Sequence, residues 1–254
     1  MADGLRADVI IANNVLAHVP DPNGFVGGIE LLCKKNARAY IEVPYLMDLL
    51  SGTQFDTIYH EHVCYFSVTA LETLFRRNGL MIESIKRIPV HGGSLFLTLT
   101  RPGEGEQQPM VEDMMSREAE WGIYQPTAYR TFGESIERLK CALKSLLISI
   151  RGSGQRVAAY GAAAKGTMLL NIFGITNDLV EYVVDRSPHK QGHIIPGTKQ
   201  PICSPSLLLE DCPDYLLILA WNFAEEIMSQ QKAYAEKGGR FIIPIPELCV
   251  MGGE

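Results

Sequence analysis

The sequence predicts an α/β protein made of two successive units of alternating strands and helices, with a helical stretch between them. Two observations predict it. Apolar runs of strand length at residues 7–12, 38–43, 156–160, 180–185, 215–221 and 240–245 are separated by segments of helical period with short links. Two breaks in composition, residues 102–109 (PGEGEQQP) and 152–154 (GSG), interrupt that alternation. A chain of 254 residues with a hydrophobic share of 46% holds enough apolar material for one large or two modest cores.

Taken in order, residues 7–12 are a buried-type strand, about 23–35 a helix, and 38–43 a second strand ended by Pro44. Strand, helix and strand with short links form a right-handed parallel unit. Residues 45–65 read as an irregular loop. Ser67 is an N-cap for a helix over 68–78, and Gly79 supplies its C′ position. Residues 80–88 and 94–101, flanking Pro89-Val-His-Gly-Gly93, predict an antiparallel pair at one sheet edge. Residues 110–151 are helical, with a long amphipathic stretch at 129–150. Beyond Gly154 come a strand (156–160), a helix (167–173), a strand (180–185), a Gly/Pro-rich loop, a short helix (205–210), a strand (215–221), a helix (224–236) and a final strand (240–245). The domains expected are residues 1–103, a helical linker 104–151, and 152–254.

The net charge of −6, without a Lys/Arg cluster of useful length, argues against a nucleic-acid partner. Six cysteines lack any C-x-x-C pair, which supports neither a structural zinc site nor a disulfide scaffold. No signal peptide opens the sequence and no apolar run reaches bilayer length, so the expectation is a reduced, cytoplasmic protein with no membrane partner.

Chemistry concentrates in Asp56-Thr-Ile-Tyr59-His60-Glu61-His62-Val-Cys-Tyr65-Phe66-Ser67, where an acid, two imidazoles and two phenols precede a helix. Imidazoles and tuned carboxyl groups exchange protons near neutral pH, so the segment reads as an acid–base centre; the plain alternative is a polar loop bonded to its own backbone. His60 and His62 alternate, but no third ligand of suitable spacing accompanies them, and no metal is expected. In open α/β sheets ligands lie beyond the carboxyl ends of strands. Asn13 and His18 follow the opening strand and suit a cofactor pocket or a helix-initiating turn. Gly161-Ala-Ala-Ala-Lys165-Gly166 follows another strand, and suits either an anion, with Lys165 as point charge, or a tight packing turn. Asn222 faces the same crevice or caps the next helix, and His91 and Gly92 meet a ligand or simply form a hairpin.

Residues 8–20 (DVIIANNVLAHVP) resemble the fourth-strand region of class I S-adenosylmethionine-dependent methyltransferases. Tyr59-His-Glu61-His62, Pro89-Val-His91-Gly-Gly93 and Tyr160-Gly161-Ala-Ala-Ala-Lys165-Gly166, followed by Asp185 and by Ala220-Trp221-Asn222, are similar to the sugar C-methyltransferases that act on nucleotide-linked 4-keto deoxysugars. The resemblance runs through nearly the whole chain. It implies the C-terminal half of a methyltransferase Rossmann-like core, from the fourth strand onward, followed by a second Rossmann-like domain for the sugar nucleotide. Relative to that family the cysteine-rich zinc module and the Gly-rich cofactor turn are missing, so the chain is expected to be N-terminally truncated and impaired when alone.

The resemblance assigns His62 as the base that removes the proton on the carbon beside the sugar ketone, with Tyr59 and Glu61 orienting or assisting. It puts S-adenosylmethionine beside Asn13 and His18, and the substrate beside His91, Gly92, Gly161, Lys165 and Asn222. A non-catalytic sugar-nucleotide-binding remnant is the alternative. An NAD-linked oxidoreductase is disfavoured because the second unit has no G-x-G-x-x-G turn.

Overall fold

The computed structural model describes residues 5–252. Contacts divide the chain into two compact units, one taking in the chain up to Ser51 together with His60–Thr131, the other Gly52–Tyr59 with Phe132–Glu254. The division therefore cuts the Asp56–Ser67 motif between Tyr59 and His60.

The first unit opens with β1 (Ala7–Asn13), a 3-10 turn at Leu16–His18, α1 (Pro22–Leu32) and β2 (Cys33–Pro44). Asp21 starts α1 by accepting the Gly24 N–H at 2.9 Å, and Pro22 fills a position whose N–H would be unbonded anyway. α2 (Leu46–Ser51) lies within the stretch the sequence presents as irregular, because six residues are too few to show a helical period. Ser67 caps α3 (Val68–Arg77) as expected, its Oγ accepting from Ala70 N at 3.1 Å, and Gly79 follows at φ +77°. β3 (Met81–Ile88) and β4 (Ser94–Thr100) form the antiparallel pair, and α4 (Pro109–Trp121) follows.

The sheet order is β1-β2-β4-β3, with β1 and β2 parallel and the rest antiparallel. Ala39, Ile41 and Val43 of β2 and Leu95, Leu97 and Leu99 of β4 share one core with Val26, Leu71, Phe75 and Met114 from α1, α3 and α4. On β1 the pattern is different. Val9 and Ile11 remain 54% and 68% exposed, and among the described residues β1 pairs on one side only.

α5 (Pro126–Gly152) begins in the first unit and enters the second at Phe132. The second unit then holds β5 (Val157–Tyr160), α6 (Ala164–Phe173), β6 (Val183–Val184), β7 (Ile202–Cys203), α7 (Leu207–Asp211), β8 (Tyr215–Ile218), a 3-10 turn at Trp221–Phe223, α8 (Ala224–Gln230), α9 (Lys232–Glu236), β9 (Arg240–Ile243) and β10 (Cys249–Met251). Its sheet runs β10-β9-β8-β5-β6-β7, parallel except for β10, with the connections leading to either side of β5. Alternation along β5 separates two cores. Val157 and Ala159 pack with Leu143, Leu147 and Leu169 of α5 and α6, whereas Ala158 and Tyr160 pack with Leu208, Ile227 and Tyr234 of α7, α8 and α9. This is a sheet covered by helices on both faces, the Rossmann-like α/β layering the sequence predicts. The strand expected at 180–185 pairs over two residues only, and the helix expected at 224–236 is broken at Gln231.

Candidate active site

In the first unit, the ends of β1 and β2 and the β3–β4 hairpin converge. Asn14 turns the chain off β1 at φ +54°, donating its backbone N–H to Glu42 O at 2.9 Å and its side-chain amide to Glu42 Oε1 at 3.2 Å. The 3-10 turn Leu16–His18 follows, and the second half of the motif docks on it. Val63 N and Cys64 N donate to Ala17 O at 2.9 and 3.2 Å, and His18 Nδ1 lies 2.8 Å from Glu61 O. A carbonyl can only accept, so His18 carries its proton on Nδ1. The His62 ring then sits 4.8 Å from the His18 ring and edge-on to Tyr65 at 6.2 Å.

After β2, Tyr45 N donates to Gly93 O and Leu46 N to Phe66 O, which ties the hairpin and the end of the motif to the same strand end. The structure thus brings His18, Glu61 and His62 together beyond the carboxyl ends of two adjacent parallel strands. Glu61 contributes its main-chain carbonyl there, while the residue itself is exposed. Asn13 is exposed at the tip of β1, and His91 is exposed at φ +57° in the hairpin. Gly93 is explained by packing, since at φ +123° a Cβ there would run into the Asp48 carboxylate. Asp48 is in turn held by Arg87, with Nε donating to Oδ2 at 2.9 Å.

In the second unit, Gly161 sits at φ +102° after β5, and a Cβ on Gly166 would come within 2.8 Å of Gly161 O and 2.9 Å of Leu219 Cβ. The Gly161–Gly166 turn is therefore held tight by its packing on Leu219 and Ala220, just beyond β8. Asn222 lies in the 3-10 turn after β8, and no side chain caps α8. Lys165 is half-buried with its ammonium 4.6 Å from the centre of the Trp221 ring; burial lowers its pKa, and Asp56 partly offsets that. Asp56 is fully buried and accepts from Trp221 Nε1 at 2.7 Å. Burial raises its pKa to about 6 against the opposing influence of Trp221 and Lys165.

A cavity of about 260 Å³ opens at the ends of β5, β6 and β8, lined by Tyr160, Gly161, Asp185, Arg186, Phe223 and Glu226 among others. Asp185 supports the turn beside it, accepting from Ala162 N and Ser187 N at 2.8 Å each. Arg186 lies in the segment after β6, Phe223 in the 3-10 turn and Glu226 on α8, and only the fold brings them to one opening. Tyr160, Gly161 and Asp185, at the carboxyl ends of predicted strands, carry a positional signal in the sequence.

Residues 89–246 match the family model described as C-methyltransferase C-terminal domain, and residues 2–85 a model described as methyltransferase domain. The curated C-methyltransferase NovU of Streptomyces niveus is 38% identical over 249 residues, covering 98% of this chain and 59% of that protein. The chain thus spans about three fifths of the length of that relative. A solved O-methyltransferase family protein from Burkholderia thailandensis aligns over 40% of this chain and 32% of its own at 16% identity, with a TM-score of 0.30, too slight a likeness to carry an argument. On the family-model match across more than half of its residues, this chain belongs to the C-methyltransferase family.

Proposed function

We propose that this chain carries the proton-abstracting and substrate-holding part of a C-methyltransferase that uses S-adenosylmethionine to methylate the carbon beside the ketone of a nucleotide-linked 4-keto deoxysugar. The observation that supports it most is the meeting of His62 with His18 beyond the ends of β1 and β2, with His18 held by the main chain of the same motif. In this reading His62 takes the proton from the carbon activated by the neighbouring carbonyl, as a positioned imidazole can near neutral pH. Tyr59 is the candidate donor to the enolate oxygen, and Glu61 fixes the His18 tautomer through its carbonyl. His91 and Gly92 seat the sugar, while Gly161, Lys165 and Asn222 serve the nucleotide end.

An exposed amide (Asn13) and an exposed imidazole (His18) at a strand end match the hydrogen-bonding needs of a nucleoside, and these two residues would hold the adenosine part of the cofactor. When bound, S-adenosylmethionine supplies an electrophilic methyl group.

The proton step is testable without methyl transfer. Thymidine-diphosphate-4-keto-6-deoxyglucose in heavy water should gain deuterium at the carbon beside its ketone when the chain is added, read by mass spectrometry. Replacing His62→Asn should slow that exchange by roughly a hundredfold or more, the scale of a positioned general base. Exchange no faster than buffer, or unchanged in His62→Asn, would refute the reading.

A further inference from the structure

The motif has two limbs, and the mechanism above uses only what lies from Tyr59 onward. The limb before it, the 3-10 turn Phe55–Thr57, is built into the second unit. Phe55 stacks on Phe173 of α6 with ring centres 4.8 Å apart, and Thr57 Oγ1 donates to Gln54 O at 2.8 Å. Asp56 between them is 0% exposed. Its Oδ2 accepts from the Trp221 indole at 2.7 Å, and among the described residues its Oδ1 has no hydrogen-bond partner. The Lys165 ammonium lies over the same indole ring, 4.6 Å from its centre. Lys165 is the single charged residue of α6, and the turn Trp221–Phe223 contributes none.

A buried carboxylate with one oxygen unpaired is costly, and a chain that needed only a packed turn would place an apolar residue there. The indole N–H and the ammonium above the ring are what make the acid tolerable. Together they fix one register of the turn, and Tyr59 lies three residues beyond Asp56.

We propose that Asp56 is a positioning residue, anchored on Trp221 and Lys165, that sets the placement of Tyr59 for the proton transfer. The assignment rests on the reading of Tyr59 given above. The anchor responds to pH in a direction that linkage fixes. The folded-state pKa of Asp56 is raised to about 6 from an ordinary 3.8, so protonation favours the closed turn over any opening that exposes the acid. The turn holds more firmly below pH 6 and opens more readily above it, where Asp56 is ionised.

Three measurements on the full chain test this. The protein has two tryptophans. In the Trp121→Phe protein the remaining emission belongs to Trp221 and should titrate with a midpoint near 6. Asp56→Asn should abolish that titration, and Lys165→Met should move it upward, because the cation favours the ionised acid. Hydrogen exchange over residues 55–62, corrected for intrinsic rates, should quicken by roughly tenfold in Trp221→Phe, which removes one hydrogen bond to a charged group. Adding Asp56→Asn to that variant should bring the rate back toward wild type, since the uncompensated charge is gone. In the deuterium wash-in assay Trp221→Phe should lower the maximal rate with little change in its dependence on sugar-nucleotide concentration. Flat Trp221 emission from pH 4.5 to 8, or unaltered exchange over 55–62 in Trp221→Phe, would overturn the proposal. Should wild type show no wash-in at all, the functional reading fails while emission and exchange still decide the role of Asp56. Should Asp56→Asn fail to fold, the Trp121→Phe titration decides alone.

Discussion

Removing the Glu118 carboxylate should unfold the first unit at markedly lower denaturant. Glu118 on α4 is 0% exposed and meets the start of α3, where it accepts from Val68 N at 2.6 Å, Thr69 N at 3.0 Å and Thr69 Oγ1 at 2.7 Å. These N–H groups belong to the first turn of a helix and have no partner of their own. The acid also sits at the positive end of the helix dipole. Glu118→Ala strands a buried and a half-buried backbone donor and a hydroxyl, each unmet group costing about 1–3 kcal/mol, so a total near 3–4 kcal/mol is expected after partial refilling by water. Glu118→Gln keeps the shape but turns an NH₂ toward one of the donors, and about 2 kcal/mol is expected.

The assay is urea unfolding in a Trp221→Phe background, where emission comes from Trp121, three residues beyond Glu118 on α4. With a slope of about 1–3 kcal/mol per molar urea, the midpoint should fall by at least about 1 M in Glu118→Ala. The second unit, followed through Trp221 in a Trp121→Phe background, should keep its midpoint. A fall below about 0.3 M in the first unit would show that the carboxylate does not hold α3 and would refute the reasoning.

Gly166→Ala should destabilise the second unit by about 1–3 kcal/mol, the usual cost of overpacking, because the new methyl meets backbone oxygen of Gly161 and Leu219 Cβ; thermal unfolding read at Trp221 would check it. The stability of the second unit should peak in mild acid. Arg156 holds Asp211 and Glu181 below the ordinary 3.8 and 4.5, so their contribution is complete above 4.5 and fades as pH falls through the lowered values. Asp56 acts in the opposite sense, adding stability as pH falls from about 6 toward its ordinary 3.8, and a maximum near the ordinary 4.5 of Glu181 follows in a Trp221-monitored melt series. Arg156→Met should remove the acid-side decline. On the first unit, Ile11→Lys on the one-sided edge strand β1 should reduce self-association in sedimentation velocity, since apolar edges invite pairing; an unchanged sedimentation profile would count against it.

The strands and helices that were legible in the sequence are those governed by near neighbours. Ser67 caps α3 because a hydroxyl one residue ahead of a helix finds the N–H of Ala70 without help from elsewhere. β1 and β2 announce themselves through apolar runs with a helix between them. Residues 46–51 and 55–57 did not, because elements of three to six residues show no period, and the two-residue ladders β6 and β7 take their identity from the strand alongside. The sequence marks Lys165 as a charge suited to an anion; that it also lies over an indole ring beside a buried acid is visible only in the fold.

The Tyr59–His62 motif was determined by the sequence alone, as a density of proton-handling groups in a short segment ahead of a capped helix. What only the tertiary structure decided is what grips that segment at either end: Asp56 bonded to Trp221, 165 residues away, and the amides of Val68 and Thr69 bonded to Glu118, about 50 residues away. A carboxylate in a sequence carries no mark of whether it will be solvated or enclosed. That is settled by which distant donors the fold delivers to it, and in each unit the fold delivers them to an acid that water never reaches.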